Sequence, residues 1–142
     1  MGRFHERVMG VYFDDLDPYA ILHNARYLVL FERTLGSLWE DMGFGGLQER
    51  ADAKHLVRAN SIEYLRPFRG TGKIRIRVWI DHIGQTSLRF GFRAMPIDED
   101  VDYARGSRVI VHIDEDWAPA SWGAPFRSRV SPWVAEQPSL DG

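Results

Sequence analysis

The sequence contains no cysteine. This absence excludes a disulfide framework, a thiolate zinc site and a cysteine nucleophile. It also favours a reducing compartment, so we expect a cytoplasmic protein. The chain has no apolar run of the ~20 residues that a membrane-spanning helix needs, and its polar beginning has no apolar signal-peptide core. We therefore expect no association with a membrane.

Lysine is scarce, since Lys54 and Lys73 are the only two and the other basic residues are arginines. The net charge of −2 argues against a general nucleic-acid-binding protein. Several catalytic motifs are also missing. There is no Gly-x-Ser-x-Gly nucleophile elbow, and Gly72-Lys73 fails as a P-loop because Pro67 occupies the place of the earlier glycine. The histidines show no zinc-binding spacing, so we expect neither a metal nor a bound cofactor.

The clearest predicted element is a long helix between Asn24 and Gly43. Asn24 lies at the N-cap or within one residue of it, and Gly43 is a typical C-terminal stop. Its apolar residues recur at helical spacing: Tyr27, Leu28, Phe31, Leu35, Leu38, Trp39 and Met42. So broad an apolar face must be covered by another element, most simply a sheet.

Five strands are predicted, one before this helix and four after it. They span residues 6–14, 55–65, 73–83, 86–94 and 103–113. Mostly short turns join the later strands, which indicates antiparallel neighbours. From Asp116 onwards we expect irregular structure with a short helical turn at Trp133. The pattern predicts one α+β domain over residues 1–142, with a curved antiparallel sheet around a central helix.

The informative segment for function is the acidic loop before the helix, which contains Asp14, Asp15 and Asp17. Pro18 disfavours helical backbone at Asp17, which we expect in a turn. A helix N-terminus offers free N–H groups to an anion or oxyanion, and a carboxylate beside it can act as general base or nucleophile. The residues alone leave open that these aspartates only bond the turn and favour the helix dipole, and Asp15 is expected to bond the turn backbone.

The same segment resembles the signature of the 4-hydroxybenzoyl-CoA thioesterase family of hotdog proteins. The family pattern begins Asp-x-Asp-x-x-Gly and often ends Asn-Asn-Ala-Arg-Tyr. Here it reads Asp15-Leu16-Asp17-Pro18-Tyr19-Ala20 through to Asn24-Ala25-Arg26-Tyr27. The later segments Glu63-Tyr64-Leu65-Arg66-Pro67 and Ile83-Gly84-Gln85-Thr86-Ser87 are also similar. The resemblance implies a hotdog fold.

The resemblance also implies roles for individual residues. It assigns the catalytic carboxylate to Asp17, as general base or nucleophile, and an oxyanion-binding backbone N–H to the helix start near Asn24. It implies further that several residues contact the substrate: Tyr19, His23, Tyr27, His55 and Ser61. One departure concerns Ala20, which replaces the family's glycine. If that position needs a positive φ, alanine strains the turn.

The implied reaction is hydrolysis of an acyl-CoA to a carboxylic acid and CoA, by a homodimer or homotetramer with active sites at the subunit interface. Three alternatives stay open. In the first, an acyl carrier protein rather than CoA carries the acyl group. In the second, the protein binds acyl groups without hydrolysing a thioester. The third is a hotdog dehydratase, which needs an Asp–His pair, and Asp17 with His23 is the candidate pair.

Overall fold

The computed structural model describes residues 3–135. A first strand, β1 (Phe4–Val11), precedes the long helix α1 (Arg26–Asp41). Four strands follow the helix: β2 (His55–Tyr64), β3 (Gly72–Ile83), β4 (Ser87–Met95) and β5 (Ala104–His112). The predicted α+β order of strand, helix and four strands is confirmed. Strand β1 ends earlier than predicted because Phe13–Asp15 form a 3-10 turn.

The strands form an antiparallel sheet in the order β1-β3-β4-β5-β2. The predicted alternation of β3 is confirmed, since its apolar residues Ile74, Ile76, Val78 and Ile80 are fully buried. Helix α1 packs against the same face, mainly over β1 and β3. Burying each large apolar side chain in this layer stabilises the fold by roughly 1.5–3 kcal/mol.

Strand β2 lies at one edge of the sheet, with β5 as its bonded neighbour. Most of its residues are exposed, including the apolar side chains of Leu56 and Val57. Its pairing with β5 shifts register between Val57 and Ala59, as at a β-bulge. Both the open edge and the bulge affect the candidate site described below.

The prediction of an irregular segment after Asp116 was wrong in part. A second helix, α2, spans Ala124–Val130. Pro125 lies in the first turn of this helix, where proline is tolerated. Tertiary packing stabilises this short helix, because Phe126 is fully buried and stacks on Trp122 with ring centroids 3.9 Å apart. The helical turn expected at Trp133 is confirmed as a 3-10 turn, Ser131–Trp133.

Among residues 3–135, no helix is both long enough and apolar enough to cross a bilayer.

Candidate active site

A tight turn between β1 and α1 carries Asp17. The Asp17 N–H donates to the Ile21 carbonyl oxygen at 2.8 Å, and the Ala20 N–H donates to the Asp17 carbonyl oxygen at 3.0 Å. Ala20 has a φ of 59°, which places it in the left-handed region. The position of the family glycine therefore does require positive φ in this chain, and alanine there costs roughly 1–2 kcal/mol.

The two oxygens of the Asp17 carboxylate have different surroundings. Oδ1 accepts hydrogen bonds from the N–H groups of Tyr19 at 2.8 Å and Ile21 at 3.3 Å. Oδ2 has no hydrogen-bond partner among the described residues. The turn therefore fixes the orientation of the carboxylate through one oxygen and leaves the other for a water molecule or a thioester carbonyl.

Asp15 has a structural role in the same loop. Its side chain is buried, and Oδ2 accepts a hydrogen bond from the Tyr12 N–H at 2.8 Å. Its backbone oxygen accepts from the His23 N–H at 2.9 Å, and its Oδ1 lies 3.7 Å from Arg26 Nε. The expectation that Asp15 bonds the turn backbone is confirmed, and these bonds tie the turn to the start of α1.

The backbone N–H groups at the start of α1 differ in their hydrogen-bond partners. The Ala25 N–H donates to Asn24 Oδ1 at 2.8 Å and to His23 Nδ1 at 3.1 Å, and the Arg26 N–H donates to the His23 carbonyl oxygen. Within residues 3–135, nothing accepts from the Asn24 N–H. Asn24 directly precedes the N-cap Ala25, so this free donor lies where the helix dipole favours negative charge.

A cavity of about 600 Å³ lies beside this helix start. Its volume is in the range of small-molecule sites. The residues that line it come from the loop before α1, from the first turn of α1 and from the end of β2: Asp17, Ile21, Leu22, His23, Asn24, Tyr27, Tyr64, Leu65, Arg66 and Pro67. The structure thus brings four of the expected site residues, Asp17, His23, Asn24 and Tyr27, to one cavity.

The other expected site residues lie elsewhere. The Tyr19 side chain is 85% exposed and does not line the cavity. His55 stacks on Trp39, with ring centroids 5.3 Å apart. Ser61 lines a separate groove with Trp79 and other residues. None of these three touches the space beside Asp17 in the single chain.

Tyr64 is a cavity residue to which the sequence interpretation gave no role. Its hydroxyl donates to the Asn24 carbonyl oxygen at 3.0 Å, and its ring meets that of Tyr27 edge to face, with centroids 5.5 Å apart. The segment around Tyr64 carried part of the family resemblance. The direction of the Tyr64 side chain, however, depends on the bulge in β2, and no sequence pattern predicts that bulge.

Burial changes the acid–base character of Tyr27. Burial raises the pKa of its hydroxyl to about 12, and the nearby Tyr103 and Tyr64 contribute to the increase. Tyr27 therefore stays protonated at neutral pH, so that its hydroxyl can donate a hydrogen bond but cannot serve as a base. Over residues 3–135, no group of three or more His, Asp or Glu side chains is arranged to hold a metal ion.

Solved structures of similar fold include thioesterases. One is a thioesterase from Thermus thermophilus crystallised with coenzyme A and zinc, with 23% identity, a TM-score of 0.79, and 94% of this chain and 96% of that chain covered. Another is a 1,4-dihydroxy-2-naphthoyl-CoA thioesterase from Synechocystis, with 14% identity, a TM-score of 0.80, and 99% of each chain covered. The predicted hotdog fold is confirmed by these similarities.

Sequence comparisons agree with the fold. No curated protein sequence is significantly similar to this chain. The family model described as the thioesterase-like superfamily matches residues 11–137. This range includes the loop before α1, helix α1 and the strands β2, β3, β4 and β5. The chain therefore belongs to the thioesterase-like superfamily.

Proposed function

We propose that this protein hydrolyses acyl-CoA thioesters to a free carboxylic acid and CoA, with Asp17 as the catalytic carboxylate. The observation that carries the proposal is that one cavity is lined by two residues with a backbone or carboxylate group that lacks a hydrogen-bond partner within residues 3–135, one a carboxylate oxygen and the other an N–H donor. The first belongs to Asp17 and the second to Asn24. Acyl transfer needs a group that activates the nucleophile and a donor for the oxyanion.

The chemistry can follow either of two balanced routes. As a general base, Asp17 takes a proton from water while the hydroxide attacks the thioester carbonyl. The Asn24 N–H stabilises the resulting oxyanion, the C–S bond breaks, and the CoA thiolate takes up the proton. As a nucleophile, Asp17 itself expels the thiolate and forms a mixed anhydride, which water then hydrolyses. The fixed Oδ1 and the free Oδ2 are compatible with both routes.

Coenzyme A is the proposed carrier of the acyl group. The Thermus thermophilus relative was crystallised with coenzyme A, and the Synechocystis relative is a CoA thioesterase by name. Arg66 lines the cavity and lies over the Tyr103 ring, with its guanidinium carbon 4.5 Å from the ring centroid. An arginine in the lining of a cavity suits the phosphates of CoA.

The proposal includes a homodimer or homotetramer. Strand β2 presents an open edge with exposed apolar side chains, including Leu56, Val57 and Tyr64. Such an edge is normally covered or paired. A second copy of the chain that pairs with β2 would also extend over the cavity, since Tyr64 belongs to both the edge strand and the cavity lining.

The test is a thiol-release assay with short, long and aromatic acyl-CoAs, run in parallel with the same acyl groups on a carrier protein. Asp17→Asn and Asp17→Ala should each lower kcat by at least ~100-fold. Asp14→Asn is the matched control, because Asp14 is exposed and does not line the cavity. Unchanged turnover in both Asp17 variants would refute the mechanism. Turnover of carrier-bound substrates alone would instead support the carrier-protein alternative, and binding without turnover would support an acyl-binding module.

A further inference from the structure

The hydroxyl group of Tyr27 has no hydrogen-bond partner, although the residue is buried. Its exposed fraction is 3%, and within residues 3–135 no group donates to the hydroxyl or accepts from it. In that part of the chain, His5 Nε2 is the only enclosed side-chain nitrogen or oxygen without a partner. The Tyr27 oxygen is therefore not enclosed by protein, and it is open to the cavity that Tyr27 lines.

The aromatic neighbours of Tyr27 leave this hydroxyl available. Tyr64 meets the Tyr27 ring edge to face, but the Tyr64 hydroxyl donates to the Asn24 carbonyl oxygen instead. Tyr103 is near enough to affect the pKa of Tyr27 but does not line the cavity. Buried polar groups normally have hydrogen-bond partners, because an unpaired one destabilises the fold. A hydroxyl that faces a cavity without such a partner can instead receive it from a ligand.

The position of Tyr27 brings its hydroxyl toward the start of α1. Tyr27 is the second residue of the helix and follows Asn24 by three positions. Residues three apart lie on one side of a helix, and helical side chains lean toward the helix N-terminus. The ring of Tyr27 therefore extends toward the Asn24 N–H. Both groups belong to the lining of the cavity that also contains Asp17.

The protonation state of Tyr27 suits a hydrogen-bond donor. Burial, together with Tyr103 and Tyr64, raises the pKa of its hydroxyl to about 12, so the hydroxyl keeps its proton at neutral pH. When a nucleophile attacks a thioester carbonyl, the π electrons of the C=O bond move onto the oxygen. Tyrosine hydroxyls and backbone N–H groups are both used to stabilise the resulting oxyanion.

We infer that the Tyr27 hydroxyl is a second donor of the oxyanion site, beside the Asn24 N–H, and that it binds the thioester carbonyl oxygen. Tyr27 keeps its proton throughout, while Asp17 acts on the water molecule or on the carbonyl carbon. This inference rests on the proposed thioesterase function, to which it adds a catalytic residue.

The first test is a thiol-release assay with the Tyr27→Phe variant, which keeps the ring and removes the donor. We expect kcat to fall ~100-fold with KM nearly unchanged, because the lost interaction belongs to the transition state. The loss should be equal for decanoyl-CoA, benzoyl-CoA and 4-hydroxybenzoyl-CoA. A loss confined to 4-hydroxybenzoyl-CoA would assign the hydroxyl to recognition of the acyl group and overturn the inference. Tyr12→Phe, at an exposed tyrosine outside the cavity, is the control.

The second test measures stability, because a structural role for the hydroxyl predicts a different result. Tyr27→Phe removes a hydroxyl that bonds to no other described residue, so the midpoint of urea denaturation should not fall. Tyr64→Phe loses a hydrogen bond within the protein, and its midpoint should fall. A lower midpoint for Tyr27→Phe as well would show that its hydroxyl serves the fold, and would count against the inference.

The third test reports on the carbonyl oxygen without turnover. The probe is S-(2-oxodecyl)-CoA, a ketone that keeps a C=O group but has no thioester bond to hydrolyse. Hydrogen bonds to a carbonyl oxygen weaken the C=O bond and lower its infrared stretching frequency. The frequency of the bound ketone should be lower in the wild type and in Tyr12→Phe than in Tyr27→Phe. Equal frequencies would mean that the Tyr27 hydroxyl does not bind the carbonyl oxygen.

Failure of this inference can be distinguished from failure of the proposed function. An active wild type with unchanged kcat in Tyr27→Phe would overturn the role of Tyr27 alone. An inactive wild type would overturn the proposed function, and the infrared difference on the bound ketone would then decide whether Tyr27 is a donor to a carbonyl oxygen. An inactive wild type that also fails to bind the ketone would overturn both.

Discussion

The Tyr64 hydroxyl donates a hydrogen bond to the carbonyl oxygen of Asn24 at 3.0 Å, which joins the edge strand β2 to the start of α1. The N–H of the same residue, Asn24, is the proposed oxyanion donor. Under that proposal Tyr64 is a positioning residue, because its bond restrains the backbone that carries the donor.

Replacing Tyr64 with phenylalanine should impair turnover more than folding. The Tyr64→Phe variant keeps the ring contact with Tyr27 but loses the hydroxyl bond. We expect kcat to fall ~5–10-fold with KM nearly unchanged, because an interaction that matters in the transition state is weakened. The free energy of unfolding should fall by about 0.5–1.5 kcal/mol. Tyr12→Phe, at another exposed tyrosine outside the cavity, is the control. Wild-type kcat in Tyr64→Phe would argue against this role.

Replacing Ala20 with glycine should stabilise the protein. Ala20 has a φ of 59°, and glycine adopts this conformation without the steric cost. We expect the free energy of unfolding to rise by up to about 1 kcal/mol, since the greater freedom of glycine in the unfolded chain offsets part of the gain. Urea denaturation would measure the change. Ala25→Gly is the control, because Ala25 has a φ of −68° and glycine there should destabilise the fold.

The stability of the protein should fall in mild acid, in part because of His55. Burial lowers the pKa of His55, nearby Arg108 and His112 lower it further, and the hydrogen bond to the Ala53 carbonyl oxygen opposes them. The unfolded state, with a histidine pKa near ~6.5, then binds more protons than the folded state just below that pH. Stability contributed by neutral His55 is therefore complete above pH ~6.5 and decreases as the pH falls below it.

The measurement is the free energy of unfolding between pH ~5 and ~7. His55→Phe keeps a ring against Trp39 and should reduce the dependence on pH. His82→Gln, at an exposed histidine, should leave it unchanged. An identical pH profile for wild type and His55→Phe would contradict the prediction.

A charge on the open edge should prevent self-association. Val57 of β2 is 48% exposed, and the proposal places this strand between two copies of the chain. We expect light scattering to find a dimer or tetramer for the wild type and a monomer for Val57→Asp. Val101→Asp is the matched control, because Val101 is similarly exposed, at 41%, but lies outside β2. A monomeric wild type would remove the subunit interface from the proposal.

The sequence predicts the main helix and the strands well. It predicts poorly the directions in which some side chains point. Strand β3 and helix α1 follow from regular apolar spacing, and Asp17, Asn24 and Tyr27 lie close together because a single short segment contains them. On an uninterrupted strand, His55 and Ser61 would share a face. The register shift between Val57 and Ala59 reverses the alternation, so Ser61 faces away from His55 and Tyr64 faces the helix. Backbone pairing sets this shift, and no local residue pattern marks it.

The location of Tyr64 on an open edge strand has a consequence for regulation. One side of β2 is bonded to β5, and the other side pairs with no strand in the part of the chain that the structure describes. A second copy that pairs there would restrict the twist of β2. Through the hydrogen bond from the Tyr64 hydroxyl, it would also restrain the backbone of Asn24. Turnover per molecule would then rise with protein concentration, so that the enzyme gains activity as it assembles.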